Sequence, residues 1–396
     1  MVSLATPTAL STHSSTLNYE KALQQFIQML DTPNLDAKIR DEPEINRDFT
    51  TALEHALAAY NSATPDEVTH LFLQRVLYRI NRLNLFWYDD LRHYINERSP
   101  YLYACREQIE AAWQEWEMSQ VDVNAMQKLD VKQALRDRAA ADLDPELSSD
   151  SIYLRQQMTE AGYRHLLAIG SFDGLVEGSR LSRILGGAAN AVQCTLVRVL
   201  LEEYGNGRYS RKHSTFFAQM LSEFGMNTEP EGYFDLVPWE VLACANHNFL
   251  LTERKRHFLR YCGGLTYFEI AGPAAYKNYL AAAQRLELSD AAMGYWELHI
   301  KEDERHGQWM LDDVALPLAE KYPDDAWELV LGYDQEKILG DRAGLAVVRS
   351  IQKMEQRNWR RGQESKWMSE GCKFIHQLNR IDHLILAAKS SIISIH

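Results

Sequence analysis

The stretch WELHIKEDERHGQ, residues 296–308, sets two histidines seven residues apart with three acidic residues between them. Read as a helix, which turns about 100° per residue, it gathers His299, Asp303 and His306 into a narrow arc of one face. Asp303-x-x-His306 is the aspartate version of the Glu-x-x-His pair that two-iron helical bundles use, where a carboxylate and an imidazole meet the metal from adjacent turns. Solvated, charged helices carry the same pattern by chance. Glu302 stands three residues after His299 and faces nearly the same way, so spacing alone leaves open which acid, Glu302 or Asp303, points inward.

Around this stretch the chain is helical almost throughout. Apolar residues recur at three and four in FTTALEHALAAYN, EVTHLFLQRVLYRINRLNLFWYDDLRHYI and YLYACREQIEAAWQEWEMSQV, and the alternation of strands is nearly absent. The predicted fold is therefore all-α. Helices are expected from 152 to 168, 172 to 184, 188 to 204, 211 to 224, 238 to 260, 265 to 285 and 289 to 319, with Asp66 and Ser289 as caps. Two further helical pieces follow, 324–359 and 376–393. Residues 1–19 read as a mobile tail without the basic start or apolar run of a secretory signal. Residues 20–141 form a helical unit of their own, and the Pro-, Ser- and Asp-rich DLDPELSSDS, 142–151, marks a connector.

With 396 residues, 46% hydrophobic and 24% charged, the composition is that of a globular protein with a large core. A net charge of -13 repels phosphate backbones and anionic lipid, so neither nucleic acid nor a membrane is an expected partner. Five dispersed cysteines without a C-x-x-C pair speak against a disulfide framework or zinc ribbon and for a reducing cytoplasm. Walker, dinucleotide, H-E-x-x-H and G-x-S-x-G motifs are missing. Gly263-Gly264 and Gly186-Gly187 read as close helix packing or helix breaks.

A second cluster lies upstream. VRVLLEEYGNGRYSRKHSTFF ends an apolar helix with Glu203, breaks at Gly205 and Gly207, and begins a new helix carrying His213. CGGLTYFEIAGP sets Glu269 among Tyr267, Phe268 and Ile270, where a carboxylate is costly unless paired or bound to a cation. The set E-x9-H, then a lone Glu, then H-x3-D-x2-H resembles the haem-oxygenase-like diiron oxidases and oxygenases. Its spacings, 66 residues from Glu203 to Glu269 and 30 from Glu269 to His299, are most similar to an N-oxygenating member of that family.

The resemblance implies a haem-oxygenase-like helical bundle over residues 150–345, preceded by an N-terminal dimerisation domain (20–141) and followed by a helical extension (346–396). It implies metal ligation by Glu203, His213, Glu269, His299, Asp303 and His306, and favours Asp303 over Glu302. A seventh ligand, by the same likeness, falls on Glu177 in FDGLVEGSR. One straight helix from Glu177 to Glu203 would hold them about 39 Å apart, so the chain must turn between them, as Gly186-Gly187 allows. The implied cofactors are two Fe(II)/Fe(III) ions with O2 as co-substrate, making a peroxo-diferric species that N-oxygenates an amino acid or other polar amine. An external electron donor and a homodimer follow from the same likeness. That N-oxygenase also carries a cupin domain, of which no strand pattern appears here. The rival readings are oxidative C–C cleavage or decarboxylation of an amino or fatty acid, a ferroxidase, and a metal-free thiaminase-like protein using Cys194 or Cys244. Tyr204, Tyr267, Tyr295 and Trp296 are either donors near the ligands or core. Arg180 and Arg183 are either carboxylate binders or surface. His247, His257, His376 and His383 read as surface or capping histidines.

Overall fold

The computed structural model describes residues 18–62 and 65–392, with side chains through residue 360. The expected tail thus lies outside the described residues up to 17, and so do the side chains of His376 and His383. No strand occurs among the described residues, and the chain is all-α as expected.

The N-terminal part comprises α1 (Tyr19–Leu30), α2 (Leu35–Asp41), α3 (Arg47–Asn61), α4 (Glu67–Arg82), α5 (Pro100–Met118), α6 (Val123–Met126) and α7 (Val131–Leu143). Side-chain caps start most of them. Asp66 accepts from Thr69 N at 2.8 Å, Ser99 from Leu102 N at 3.3 Å and Asp130 from Gln133 N at 3.1 Å. The stripes of α1, α3, α4 and α5 meet in a core of Phe26, Phe49, Leu73, Leu77, Ile109 and Trp113. Helix α4 stops at Arg82, short of the expected run to Ile95. Arg82 is drawn to Asp89 and, at 3.1 Å, to Glu231, while Tyr88 adopts φ 59°, which ends a right-handed helix.

Then follow α8 (Ser149–Gln156), α9 (Glu160–Gly174), α10 (Ala191–Glu203), α11 (His213–Glu223) and α12 (Trp239–Glu253). After them come α13 (Phe258–Arg285), α14 (Gly294–Trp309), α15 (Leu316–Lys321) and α16 (Trp327–Ile392). Ser289 caps a short 3-10 turn that leads into α14, through a 3.3 Å bond from Ala292 N. A π-helical turn, Met310–Ala315, continues α14 into α15.

Three expectations need correction here. The helix expected over 172–184 does not form: α9 already ends at Gly174, and the chain turns from Leu175 to Arg180 with Gly178 at φ +71°. Glu177, Arg180 and Arg183 are therefore on a turn and a short 3-10 segment rather than one helix. The two helices expected over 324–359 and 376–393 are one, α16. His247 is neither surface nor cap: it is 1% exposed, edge-on to Trp113, with no hydrogen-bond partner for either ring nitrogen. His257 stands half-buried at the start of α13 without a capping bond.

The longest helices, α13 and α16, cross in close contact. A Cβ on Gly263 would collide with the carbonyl of Leu329, and one on Gly332 with that of Arg260. Both glycines are there because backbone touches backbone. The same packing bears out Gly263-Gly264 as residues of a close helix contact.

Candidate metal centre

Five segments converge inside the bundle. Helix α10 ends on Glu203 and α11 begins on His213, and the chain between them doubles back through Gly205 at φ +59°. Gly205 lies so close to the backbone of Arg211 and Lys212 that no side chain fits. The return leaves His213 Nδ1 3.0 Å from Glu203 Oε2. Glu269 comes from the middle of α13. Pro273 cannot donate to the Glu269 carbonyl one turn back, and Gly307 of α14 packs against that carbonyl. Helix α14 turns His299, Asp303 and His306 inward, at 4%, 1% and 0% exposure. Glu302 instead lies at the rim, paired with Arg305. The alternative that spacing left open resolves to Asp303. Glu177 arrives on the turn after α9, where Gly178 lets the chain press against the Cβ of Glu203.

The donor atoms fall into two groups. Glu177, Glu203, His213 and His299 each offer an atom within 4.8 Å of the others, and Glu203, Asp303 and His306 do the same, with Glu203 common to both. Glu269 Oε2 faces His306 Nδ1 at 3.3 Å.

Hydrogen bonds fix which ring nitrogens face inward. His299 Nδ1 donates to the Tyr295 carbonyl at 3.0 Å, which leaves an Nε2 lone pair 3.1 Å from His213 Nδ1. His306 Nε2 donates to Glu202 Oε2 at 3.0 Å, so its Nδ1 lone pair points at Glu269, Glu203 and Asp303. That atom has no hydrogen-bond partner; nor have both Asp303 oxygens and Glu177 Oε1, all buried. Orphaned lone pairs and carboxylates facing one another fit a cation and little else. Burial and Glu203 push Glu177 well above the usual carboxylate range, and burial and Glu269 do so for Asp303. Burial pulls His306 down, yet the Glu269 carboxylate beside Nδ1 outweighs it and lifts the ring to about 9, so a cation binding the Nδ1 lone pair would first displace a proton from it. The four carboxylates Glu177, Glu203, Glu269 and Asp303 balance the charge of two divalent ions, and nitrogen–oxygen donors suit iron.

Beside the cluster lies a cavity of about 300 Å³. Glu177, Glu203, Glu269, His299 and Asp303 line one part; Phe172, Leu181, Leu265 and Phe268 give apolar walls; Asp173, Arg180, Asn248 and Glu336 supply polarity. Tyr267 also lines it, and Tyr295 donates its hydroxyl to Glu177. Trp296 is core, donating to Tyr163 Oη at 2.8 Å, and Tyr204 lies at the rim over Lys212. Arg183 is engaged elsewhere, by Glu253 and the Asn84 carbonyl. Glu202, Asn248 and Glu336 escaped the sequence reading. The Glu-Glu doublet at 202–203 was a signal for the first; nothing local marks the others.

An all-α bundle holding histidines and carboxylates around a shared glutamate defines a helical metalloprotein. Residues 164–335 match the model of the family described as iron-containing redox enzyme, so that segment is similar to haem-oxygenase-like redox proteins. The chain is also 27% identical over 174 residues to the nitrosourea synthase of Streptomyces achromogenes subsp. streptozoticus. That match covers 42% of this chain and 36% of the relative, so the likeness spans about a third of the relative's length. Iron is thus the metal of the family that the site matches. No helix among the described residues is long and apolar enough to cross a membrane.

Proposed function

We propose that the chain is a non-haem diiron, O2-dependent oxygenase that N-oxygenates an amino acid or another polar amine. The observation that carries this reading is a buried cluster of four carboxylates and three histidines, with unpartnered lone pairs, opening on a cavity with polar groups. The printed name of the relative, a nitrosourea synthase, supports nitrogen chemistry.

In this reading Glu177, Glu203, His213 and His299 hold one iron, and Glu203, Asp303, His306 and Glu269 the other. Bound there, two ferrous ions would supply the reducing power that activates dioxygen. Glu202 and the Tyr295 carbonyl orient the two imidazoles, and Tyr295 holds Glu177 by its hydroxyl. Apolar walls keep bulk water from the reacting nitrogen. Placing one oxygen atom of O2 on nitrogen while the other leaves as water consumes two electrons and two protons, so an external reductant is required.

Oxidative C–C cleavage is the second reading, favoured by the apolar walls; the cavity of about 300 Å³ disfavours a long fatty chain. A thiaminase-like nucleophile finds little support. Cys194 is exposed, away from the cavity lining, and burial pushes the Cys244 thiol well above its usual range, keeping it protonated. We keep residues 150–345 as the diiron domain, 346–396 as an extension and 20–141 as a dimerisation unit. Exposed Phe86, Tyr88, Leu91, Ile95 and Tyr103 support the last, and light scattering at twice 45.6 kDa is the expected result.

The deciding experiment combines anaerobic Fe(II) titration with mass spectrometry of products from iron-loaded protein, oxygen, a reductant and a pool of amino and fatty acids. Two irons per chain and an amine carrying one added oxygen atom are expected. A chain that binds no iron sinks the proposal; one that oxidises iron without any organic product is a ferroxidase.

A further inference from the structure

All seven donors of the metal cluster are buried, so an ion reaches them only by crossing protein. A second hollow, a groove of about 410 Å³ bordered by α8, α13 and α16, lies beside the first cavity. Ala275, Gly344 and Leu345 open one side of it to solvent. On its inner side it comes up against the cluster along α13. A Cβ at Gly272, on its wall, would lie 3.3 Å from Asp303 Oδ2, and the ring of Tyr276, also on its wall, is centred 5.2 Å from that of His299.

Tyr267, Phe268 and Gly340 line both the groove and the cavity over the metals, and so form the partition between them. Its parts are held unequally. Gly340 has no side chain, and the Tyr267 ring stands edge-on to Tyr333 at 5.3 Å, packed against the core. Phe268 belongs to none of the apolar clusters, and its ring is 42% exposed although the next residue is the buried Glu269. A large apolar ring with so few neighbours changes rotamer fast and at little cost. The groove is also of one sign. Asp150 and Asp341 line it, no lysine or arginine does, and the nearby Lys337 is engaged by Asp142 at 2.6 Å. Acidic clefts concentrate cations, and the faces of Tyr276 and Tyr279 add to the attraction.

We infer that this groove is the path by which ferrous ions enter and leave the cluster, and that Phe268 is the movable side chain that closes its inner end. The path rests on the reading of the cluster as a metal centre; it does not depend on which reaction the metals perform. A path acts on rates and not on equilibrium. Narrowing it slows entry and exit by the same factor and leaves the dissociation constant where it was.

Anaerobic stopped-flow mixing of the full-length protein with Fe(II), and release of bound iron to an excess of chelator, give the two rates; titration gives the dissociation constant. Gly344→Phe should obstruct the groove, because nothing lies within 4 Å of a Cβ there and the new ring has room. It should slow loading and release at least fivefold each, with the dissociation constant within twofold of the unaltered protein's. Phe268→Ala should speed both at least threefold, again at constant affinity. Asp150→Asn combined with Asp341→Asn should slow loading at least threefold at low salt, and the difference should vanish near 1 M salt, where screening acts within about 3 Å. Rates within twofold of the unaltered protein's in both Gly344→Phe and Phe268→Ala overturn the inference. So does a change in one rate alone with a matching change in affinity, which would mean that the variants deform the donors. Phe268→Ala removes a ring that no core cluster contains, so the test survives a misfolded Gly344→Phe. A chain that takes up no iron refutes the metal centre itself, whereas two irons per chain loaded at unchanged rates refute only the path.

Discussion

His306 reaches the cluster through Nδ1 because Nε2 is tied to Glu202 at 3.0 Å, and the ring would be free to turn without that bond. Glu202→Ala should therefore weaken iron binding by about 10–100-fold while the helix content stays unchanged, as followed by Fe(II) titration and circular dichroism. His299→Ala and His306→Ala remove donors outright. Each should lose iron and activity, and retention of two irons per chain by both would count decisively against the site. At this scale the sequence was legible where chemistry repeats on one helix: His299, Asp303 and His306 follow from periodicity. The choice of Asp303 over Glu302 was not, because it depends on Arg305 drawing Glu302 outward. Glu336 was invisible for the same reason, as its place in the cavity depends on walls contributed by other segments. A different histidine yields a pH test. Burial pulls His247 down to about 3, so near pH 5 it is neutral when folded and protonated when unfolded. The unfolded chain then binds more protons, and stability falls as pH drops below about 6.5, by about 1.4 kcal/mol per pH unit from this group. His247→Phe should flatten the fall between pH 6.5 and 4 in urea titrations; an unchanged slope would show that the ring is protonated or hydrated in the folded state.

Among the elements, the crossing of α13 and α16 positions both Glu269 and Glu336, and its closeness depends on Gly263 and Gly332. A methyl group at either meets a carbonyl that belongs to the opposite helix and cannot rotate away. Gly332→Ala should cost about 1–3 kcal/mol in urea unfolding, with a loss of iron affinity because Glu269 shifts with α13. Gly344→Ala, where nothing lies within 4 Å, is the control expected to leave stability near that of the unaltered chain. Helices were legible from apolar spacing, and their starts from side chains such as Asp66 that cap locally. Their ends were not. Helix α4 stops where Arg82 is recruited by Asp89 and Glu231, and the expected helix over 172–184 gives way to the turn that delivers Glu177 to Glu203. Those interactions join residues far apart in sequence, which no local period records.

Across the whole molecule, the N-terminal helices meet the metal-bearing bundle in several places: α7 packs Leu135 into the core of α13 and α16, and α4 forms a boundary with α12. Ala243 of α12 and Leu339 of α16 complete the N-terminal core, so neither part buries its apolar surface alone. At the centre of that boundary Asn81 Nδ2 donates to Asn246 Oδ1 at 3.1 Å, and Asn246 Nδ2 donates to the Gln74 carbonyl and side chain at 2.9 and 2.8 Å. All three residues are fully buried. Composition and periodicity could place helices on either side of this boundary but not bring three amides together across it, because each looks locally like an ordinary polar residue. A buried amide left without its partner costs about 1–3 kcal/mol. Asn81→Ala and Asn246→Ala should each destabilise the protein by that order, and the double variant by less than their sum, since the two changes remove one hydrogen bond between them. Urea unfolding of the four proteins in the cycle should yield a coupling of about 0.5–3 kcal/mol. Strict additivity would mean that the amides do not hold the two parts together. Coupling with a single unfolding transition would mean that α12, and with it the Asn248 wall of the cavity, is held in place by helices that contribute nothing to the metal.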